Sequence, residues 1–136
     1  KNYSREIFKS KPTFKVYGKN YKTPDKTAIR DYLHVSDLAE IHLKVLDKIS
    51  LRNKSVILNC GYGHGISVME VAKEFIKHSK NNVKILFKNR RSGDMEKIIT
   101  LNKKLLSFIK WRPKYNKLKF LVASSIEWEK KLLKKN

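Results

Sequence analysis

A short apolar run, Val56-Ile57-Leu58, leads through Gly61-Tyr62-Gly63-His64-Gly65 into a helix start that is marked twice. Ser67 and Glu70 stand at capping-box spacing, and Ile66 and Val71 at the spacing of a hydrophobic staple. Strand, glycine turn and helix in that order form the repeating unit of α/β proteins, and an unbroken apolar run reads as a strand covered on both faces of a parallel sheet. Val68, Val71, Ala72, Phe75 and Ile76 give the helix its buried stripe. Val83 to Phe87 reads as the next strand after the Asn81-Asn82 turn, so a βαβ-like unit is expected. Upstream, Phe14 to Tyr17 alternate with period two and end at Gly18, a strand entering a turn-rich loop through Asn20, Pro24 and Asp25. A helix N-capped by Ser36 carries Leu38, Ile41, Val45, Leu46 and Ile49 at helical spacing. Downstream come a short strand near Ile98, a helix from about Asn102, and a break at Trp111-Arg112-Pro113. The final helix turns Leu118, Leu121, Val122, Ile126 and Leu132 inward.

With 136 residues the chain fits one ordinary domain, taken here as 1–136. It opens at Lys1 without an initiator Met, on a helix-like stretch from Asn2 to Lys9, so the natural N-terminus is expected upstream. No apolar run approaches the roughly 20 residues of a membrane span, so no membrane partner is expected. One cysteine, Cys60, with no Cys or His at metal-ligand spacing, fits a reducing compartment, and the cytoplasm is the expected location. The formal net charge of +20 invites a nucleic-acid reading, because clustered cations release condensed counterions from phosphate backbones. Here the cations run from Lys1 to Lys135, only six are Arg, and no basic-aromatic motif or zinc spacing accompanies them. No specific nucleic-acid partner is expected.

Three segments carry possible chemistry. The glycines at 61 to 65 follow a strand and open a helix, as dinucleotide sites do, but the third fingerprint glycine would fall at Ile66 and the next strand ends in Phe87-Lys88 without an acid. A tight turn for packing is expected. In Arg30-Asp31-Tyr32-Leu33-His34, an extended backbone puts Arg30, Tyr32 and His34 on one face and Asp31 and Leu33 on the other, so Asp31 and His34 do not form an acid–base pair and a structural histidine is expected. Arg30, just past a long loop, either offers its planar fork to phosphate oxygens or pairs with Asp31 or another acid. Arg90-Arg91-Ser92-Gly93-Asp94 combines cations, a glycine and a carboxylate, which suits a phosphorylated sugar or nucleotide, or else forms a polar surface loop. Composition and spacing reach an α/β domain with a candidate anion site and no nucleophile, carboxylate pair or metal set.

Phe14 to Asp37, reading FKVYGKNYKTPDKTAIRDYLHVSD, resembles the UDP-glucose 4-epimerase pattern V-[FY]-G-x-x-Y-x-T-x-D-G-T-x-[IV]-R-D-Y-[IL]-H-V-x-D. Its RDYLHVSDLA half is similar to many extended short-chain dehydrogenase/reductase enzymes of sugar nucleotides, and the VYG and TPD portion to the 4-epimerases in particular. LNCGYGHGISVMEV, RRSGD and KWRP resemble later family segments in the same order. The resemblance implies the C-terminal substrate-binding part of such an enzyme, with residual Rossmann-sheet strands and without the N-terminal NAD-binding half. It implies interconversion of UDP-glucose and UDP-galactose by NAD-dependent oxidation and re-reduction at C4, the 4-keto sugar turning about a firmly held UDP. At the matched positions Arg30 and Arg91 resemble the arginines of the pyrophosphate, Asp94 the acceptor of the uridine ribose, and Val16 with Tyr17 the strand end beside the uracil.

The resemblance also sets limits. Lys26 replaces the glycine of D-G-T, Cys60 replaces Leu, and MEKIITLNKK after Asp94 departs from the family pattern. The family's G-x-x-G-x-x-G, catalytic Ser/Thr and Tyr-x-x-x-Lys belong to the N-terminal half, so no catalytic or cofactor-binding residue is expected here and the isolated chain is expected to be inert. The family homodimer uses helices of that half, so its interface is expected to be largely absent. A UDP-N-acetylhexosamine 4-epimerase stays open, because pocket size is set near Asp94 to Thr100. A dehydratase or decarboxylase is disfavoured by IRDYLHV with the TPD loop, and a basic binding module is the remaining alternative. By charge alone, duplex DNA should bind weakly and without sequence preference at low salt, and anisotropy at about 150 mM salt should show that binding lost. A sequence preference surviving that salt would establish the binding module instead.

Overall fold

The computed structural model describes residues 2–50 and 55–135. In chain order the elements are α1 (Asn2–Glu6), β1 (Thr13–Tyr17), β2 (Ile29–Arg30), α2 (Val35–Ser50), β3 (Ile66–Ser67), α3 (Val68–Ile76), β4 (Lys84–Lys88), β5 (Lys97–Ile98), α4 (Lys103–Phe108) and α5 (Leu118–Leu133). β1 and β4 pair in parallel from Thr13↔Lys84 to Tyr17↔Lys88. A second small sheet has the order β3-β2-β5, with β2 antiparallel to β3 and parallel to β5. The expected α/β class is present.

Local sequence rules account for several elements. The capping box at α3 is formed in both directions: the Ser67 hydroxyl accepts from the Glu70 N–H at 3.0 Å, and the Glu70 carboxylate from the Ser67 N–H at 2.7 Å. α2 starts two residues earlier than expected. The His34 carbonyl accepts from the Leu38 N–H at 3.0 Å and its Nδ1 from the Ser36 N–H at 3.1 Å, so His34 takes the N-cap position expected of Ser36, which lies inside the first turn.

Val56 to Leu58 is not a strand, a correction to the sequence reading. Ile57 is 84% exposed, and among the described residues no strand pairs with this run. Apolar content alone cannot make a strand; it needs a neighbour for its N–H and C=O groups. The expected βαβ unit is therefore rebuilt, since β4 takes β1 rather than 56–58 as its parallel partner.

Two apolar clusters hold the elements together. Ile7, Phe14, Val71, Ala72, Phe75, Val122 and Ile126 join α1, β1, α3 and α5, with Tyr3 stacked on Phe14 at 4.3 Å and edge-on to Phe75 at 6.0 Å. Ile41, Leu105, Ile109 and Trp111 join α2 to α4. No helix among the described residues is long and apolar enough to cross a membrane.

Asp37, fully buried in the first turn of α2, ties distant loops to that helix. It accepts from the Tyr62 hydroxyl at 2.5 Å and from the N–H groups of Lys114 at 3.1 Å and Tyr115 at 3.0 Å. Burial pushes its carboxyl up, but these donors, Tyr62 first, outweigh it and hold the acid below the usual carboxylate range. A carboxyl so lowered adds stability that is present above its unfolded-state pKa of about 3.9 and is lost as pH falls through the folded value. Asp37→Asn should therefore cost about 2–4 kcal/mol at neutral pH by denaturant unfolding, with the difference from the parent shrinking below about pH 3. An equal loss at both pH values would show that the charge of Asp37 is not what stabilises the fold.

Candidate functional site

The loop between β1 and β2 is fixed by its own polar side chains. Asp25 accepts from the N–H and the hydroxyl of Thr27 at 2.9 and 2.7 Å, and its other oxygen from Ser67. Burial acts to raise the Asp25 acid, and the Ser67 and Thr27 donors more than reverse it. Thr23 donates to the Thr27 carbonyl at 2.6 Å. Lys26, at the position of the family glycine, adopts a left-handed φ of +62°, so the backbone keeps the conformation for which glycine is suited.

This loop meets the 89–96 segment. Glu96 accepts the Lys22 N–H on its carboxylate at 3.3 Å and the Ile29 N–H on its carbonyl at 2.8 Å. The buried Tyr21 donates its hydroxyl to Asp94 Oδ2 at 3.1 Å, and Arg90 lies over the Tyr21 ring at 3.9 Å. Arg30 pairs with Asp94 Oδ1 and also donates to the carbonyls of Ile29 and Met95, each at 2.7 Å. Of the two alternatives for Arg30, the acid is taken, and that acid is Asp94 rather than Asp31. The Arg91 guanidinium lies 4.0 Å above the ring of Tyr17.

Tyr17, Arg30, Arg91 and Asp94 line one open cleft of about 1610 Å³. Tyr3, Tyr32, Lys9, Lys11 and Lys15 line it too. Burial, with Tyr32 and Tyr17 nearby, pushes the Tyr3 phenol up to about 12 against the pull of Arg91, so it is a hydrogen-bond donor at neutral pH. Val16 is placed differently. Its side chain is fully buried and does not line the cleft. Lys84 N–H donates to the Pro12 carbonyl and Gly18 N–H to the Lys88 carbonyl, so the even-numbered positions of β1, Val16 included, turn their main chain toward β4. Lys15 and Tyr17 face the other edge, where the Lys15 carbonyl accepts from the Tyr3 hydroxyl at 3.0 Å. The strand edge offered to a ligand is thus that of Lys15 and Tyr17.

Other candidates resolve into structure. Asp31 accepts from the N–H groups of Tyr62 at 3.1 Å, Gly63 at 2.9 Å and Thr100 at 3.3 Å. An internal carboxylate therefore occupies two N–H groups at the centre of the glycine loop, and Gly61 and Gly65 leave no room for a Cβ, so the packing role expected of that loop holds. His34 Nε2 lies 2.9 Å from the Ser124 hydroxyl, but its Nδ1 accepts from Ser36, so Nε2 carries the proton of the neutral ring and cannot activate Ser124. Tyr115 and Lys119 do stand at Tyr-x-x-x-Lys spacing, a correction to the expectation that no such spacing occurs in this chain. Tyr115 precedes α5 and stacks on His34 at 4.5 Å, while the Lys119 ammonium lies 5.1 Å from the Phe120 ring, so they do not share a helix face as an acid–base pair. No group of metal-ligating side chains occurs among the described residues.

One parallel strand pair and one small mixed sheet, flanked by helices, bring cations, a carboxylate and a tyrosine ring to one cleft, a candidate ligand site in an α/β fold. A family model described as "NAD dependent epimerase/dehydratase family" matches residues 3–61 of this chain. It is 38% identical over 122 residues to the UDP-glucose 4-epimerase of Azospirillum brasilense, covering 90% of this chain and 35% of that protein. Among solved structures, the UDP-Glc/GlcNAc 4-epimerase of Campylobacter jejuni superposes with a TM-score of 0.82 at 35% identity, over 95% of this chain and 39% of that one. The UDP-glucose 4-epimerase of Bifidobacterium longum, solved with NAD+ and UDP, superposes with a TM-score of 0.80 at 32% identity, over 95% and 38%. The chain thus spans a little over a third of the length of these relatives.

The sequence gives no sign of Tyr21 or Lys15, and marks Arg90 only as one of two adjacent cations, because the pairing of the two loops and the edge of β1 exist only in three dimensions. Lys26 yields a direct check. A non-glycine residue in the left-handed region costs about 1–2 kcal/mol, so Lys26→Gly should raise unfolding stability by about 1 kcal/mol after the entropy of glycine is subtracted. Denaturant midpoints showing a loss would mean that the Lys26 side chain holds the loop by contacts of its own.

Proposed function

We propose that this chain supplies the UDP-sugar-binding part of an enzyme that interconverts UDP-glucose and UDP-galactose at C4. The observation that carries this reading is the convergence of Arg91, stacked on Tyr17, with the Arg30–Asp94 pair in one cleft. These are the positions at which the sequence resembles the family's pyrophosphate and ribose ligands. Arg91 presents its guanidinium face-on to an aromatic ring, which holds it in place and leaves its N–H edge for phosphate oxygens. Asp94 retains acceptor capacity beyond its two internal donors, enough for a ribose hydroxyl. Arg30 both fixes Asp94 and adds positive charge to the cleft.

The glycine turn of this chain does not fit a dinucleotide, since Asp31 already accepts the Tyr62 and Gly63 N–H groups at its centre. NAD belongs, on this reading, to the complete enzyme and is held by residues other than these, as are the catalytic Ser/Thr and Tyr-x-x-x-Lys. The substrate-binding portion is then a single unit, 1–136, working with an N-terminal NAD-binding half. The Campylobacter neighbour, named for both UDP-Glc and UDP-GlcNAc, supports extending the sugar preference to the N-acetylhexosamines.

Two charge-assisted phosphate contacts at about 1.5–3 kcal/mol each, less the cost of ordering the loop, reach about the 4 kcal/mol of a millimolar complex. NMR titration of the chain with UDP should therefore give a dissociation constant of about 1 mM or weaker, and Arg91→Ala should weaken it at least about fivefold. A micromolar constant, or an Arg91→Ala variant that binds like the parent, would overturn this assignment. In a coupled assay with UDP-galactose the chain alone should show no turnover.

A further inference from the structure

We propose that Tyr21 is a positioning residue of this site, holding the Asp94 carboxylate in the orientation that accepts a ribose hydroxyl and so selecting ribonucleotides over deoxyribonucleotides. The inference rests on the nucleotide reading above and assigns a part of that site to a residue outside the five matched positions. The two oxygens of Asp94 receive different donors: Oδ1 is held by Arg30 and Oδ2 by the Tyr21 hydroxyl at 3.1 Å. One donor leaves a carboxylate free to turn about its side-chain torsions, whereas donors on both oxygens fix its plane and the direction of the remaining lone pairs.

Both donors are themselves held. Arg30 is anchored on the carbonyls of Ile29 and Met95. The Tyr21 ring is 2% exposed, and two neighbours confine it. Gly18, with φ of +82°, leaves no Cβ where the ring packs. Arg90 covers the ring at 3.9 Å and is itself tied to Asn20 through Oδ1 at 2.8 Å and through the carbonyl. Burial, followed by the bond to Asp94, raises the Tyr21 phenol, which keeps it protonated as a donor.

A purely structural role is not needed for this hydroxyl. Glu96 already joins the two loops through the N–H groups of Lys22 and Ile29. What the phenol adds is direction at Asp94, whose side chain is 26% exposed where it lines the cleft.

The test compares UDP with 2′,3′-dideoxy-UDP by NMR titration to about 20 mM on the parent chain, Tyr21→Phe, Asp94→Asn and the double variant. Tyr21→Phe should weaken UDP binding about fivefold and leave dideoxy-UDP binding unchanged; in the Asp94→Asn background it should have no further effect. Arg90→Ala, which keeps the phenol but uncovers its ring, should shift the UDP preference in the same direction by a smaller factor, and it replaces Tyr21→Phe if that variant does not give a folded amide spectrum. An equal loss for both ligands, or a loss that persists without the Asp94 carboxylate, would reduce Tyr21 to a packing residue and overturn the proposal. A parent chain that binds UDP no better than dideoxy-UDP, or binds neither, would instead overturn the nucleotide reading itself, and the proposal with it.

Discussion

The buried carboxylate of Asp37 is the constraint on which the assembly of this chain depends. A charge with no solvent contact is tolerated only where donors compensate its desolvation, and Asp37 gathers three from separate segments: Tyr62 of the glycine loop, and Lys114 and Tyr115 of the run before α5. The demand of one carboxylate thereby fixes where the glycine loop and the start of α5 stand relative to α2. Asp31 repeats the device six residues earlier, binding the same glycine loop to the strand end at Thr100. Beside Asp31 and between the two acids, Arg30, Tyr32 and His34 line the cleft.

The same economy shapes the site. Arg30 and Asp94 satisfy one another, so the cleft needs no ligand to hold its loops in place, yet both groups keep unused hydrogen-bonding capacity on their open sides. Arg91 is treated differently. Its charge is set over the Tyr17 ring rather than against an acid, which orients a cation with little neutralisation. A cleft with one neutralised pair and one oriented cation suits a ligand that carries both hydroxyls and phosphates.

Lys26 shows how a backbone requirement can outlast the residue that best meets it. The turn it occupies lies inside a web of Thr23, Asp25 and Thr27 hydrogen bonds that links onward to Ser67 at the cap of α3. Those bonds over-determine the loop, and the left-handed φ follows whether or not the residue is glycine. The strain sits in the loop between β1 and β2, at a residue that does not line the cleft.

What the sequence determined by itself was local. The Ser67–Glu70 capping box, the period-two alternation of β1 and the apolar stripes of α3 and α5 depend on residues within a few positions of one another, and each formed as their spacing required. The motif positions of Arg30, Arg91 and Asp94 were equally legible, since they are a matter of residue type and order. Only the tertiary structure decided what those residues meet. Val56 to Leu58 has the composition of a strand, but strand formation is a property of pairs, and no partner lies beside it among the described residues. β4 pairs with β1 across some seventy residues, and Tyr21 reaches Asp94 across a comparable span. Such contacts follow from packing and from the need to satisfy buried polar groups, which periodicity along the chain does not encode.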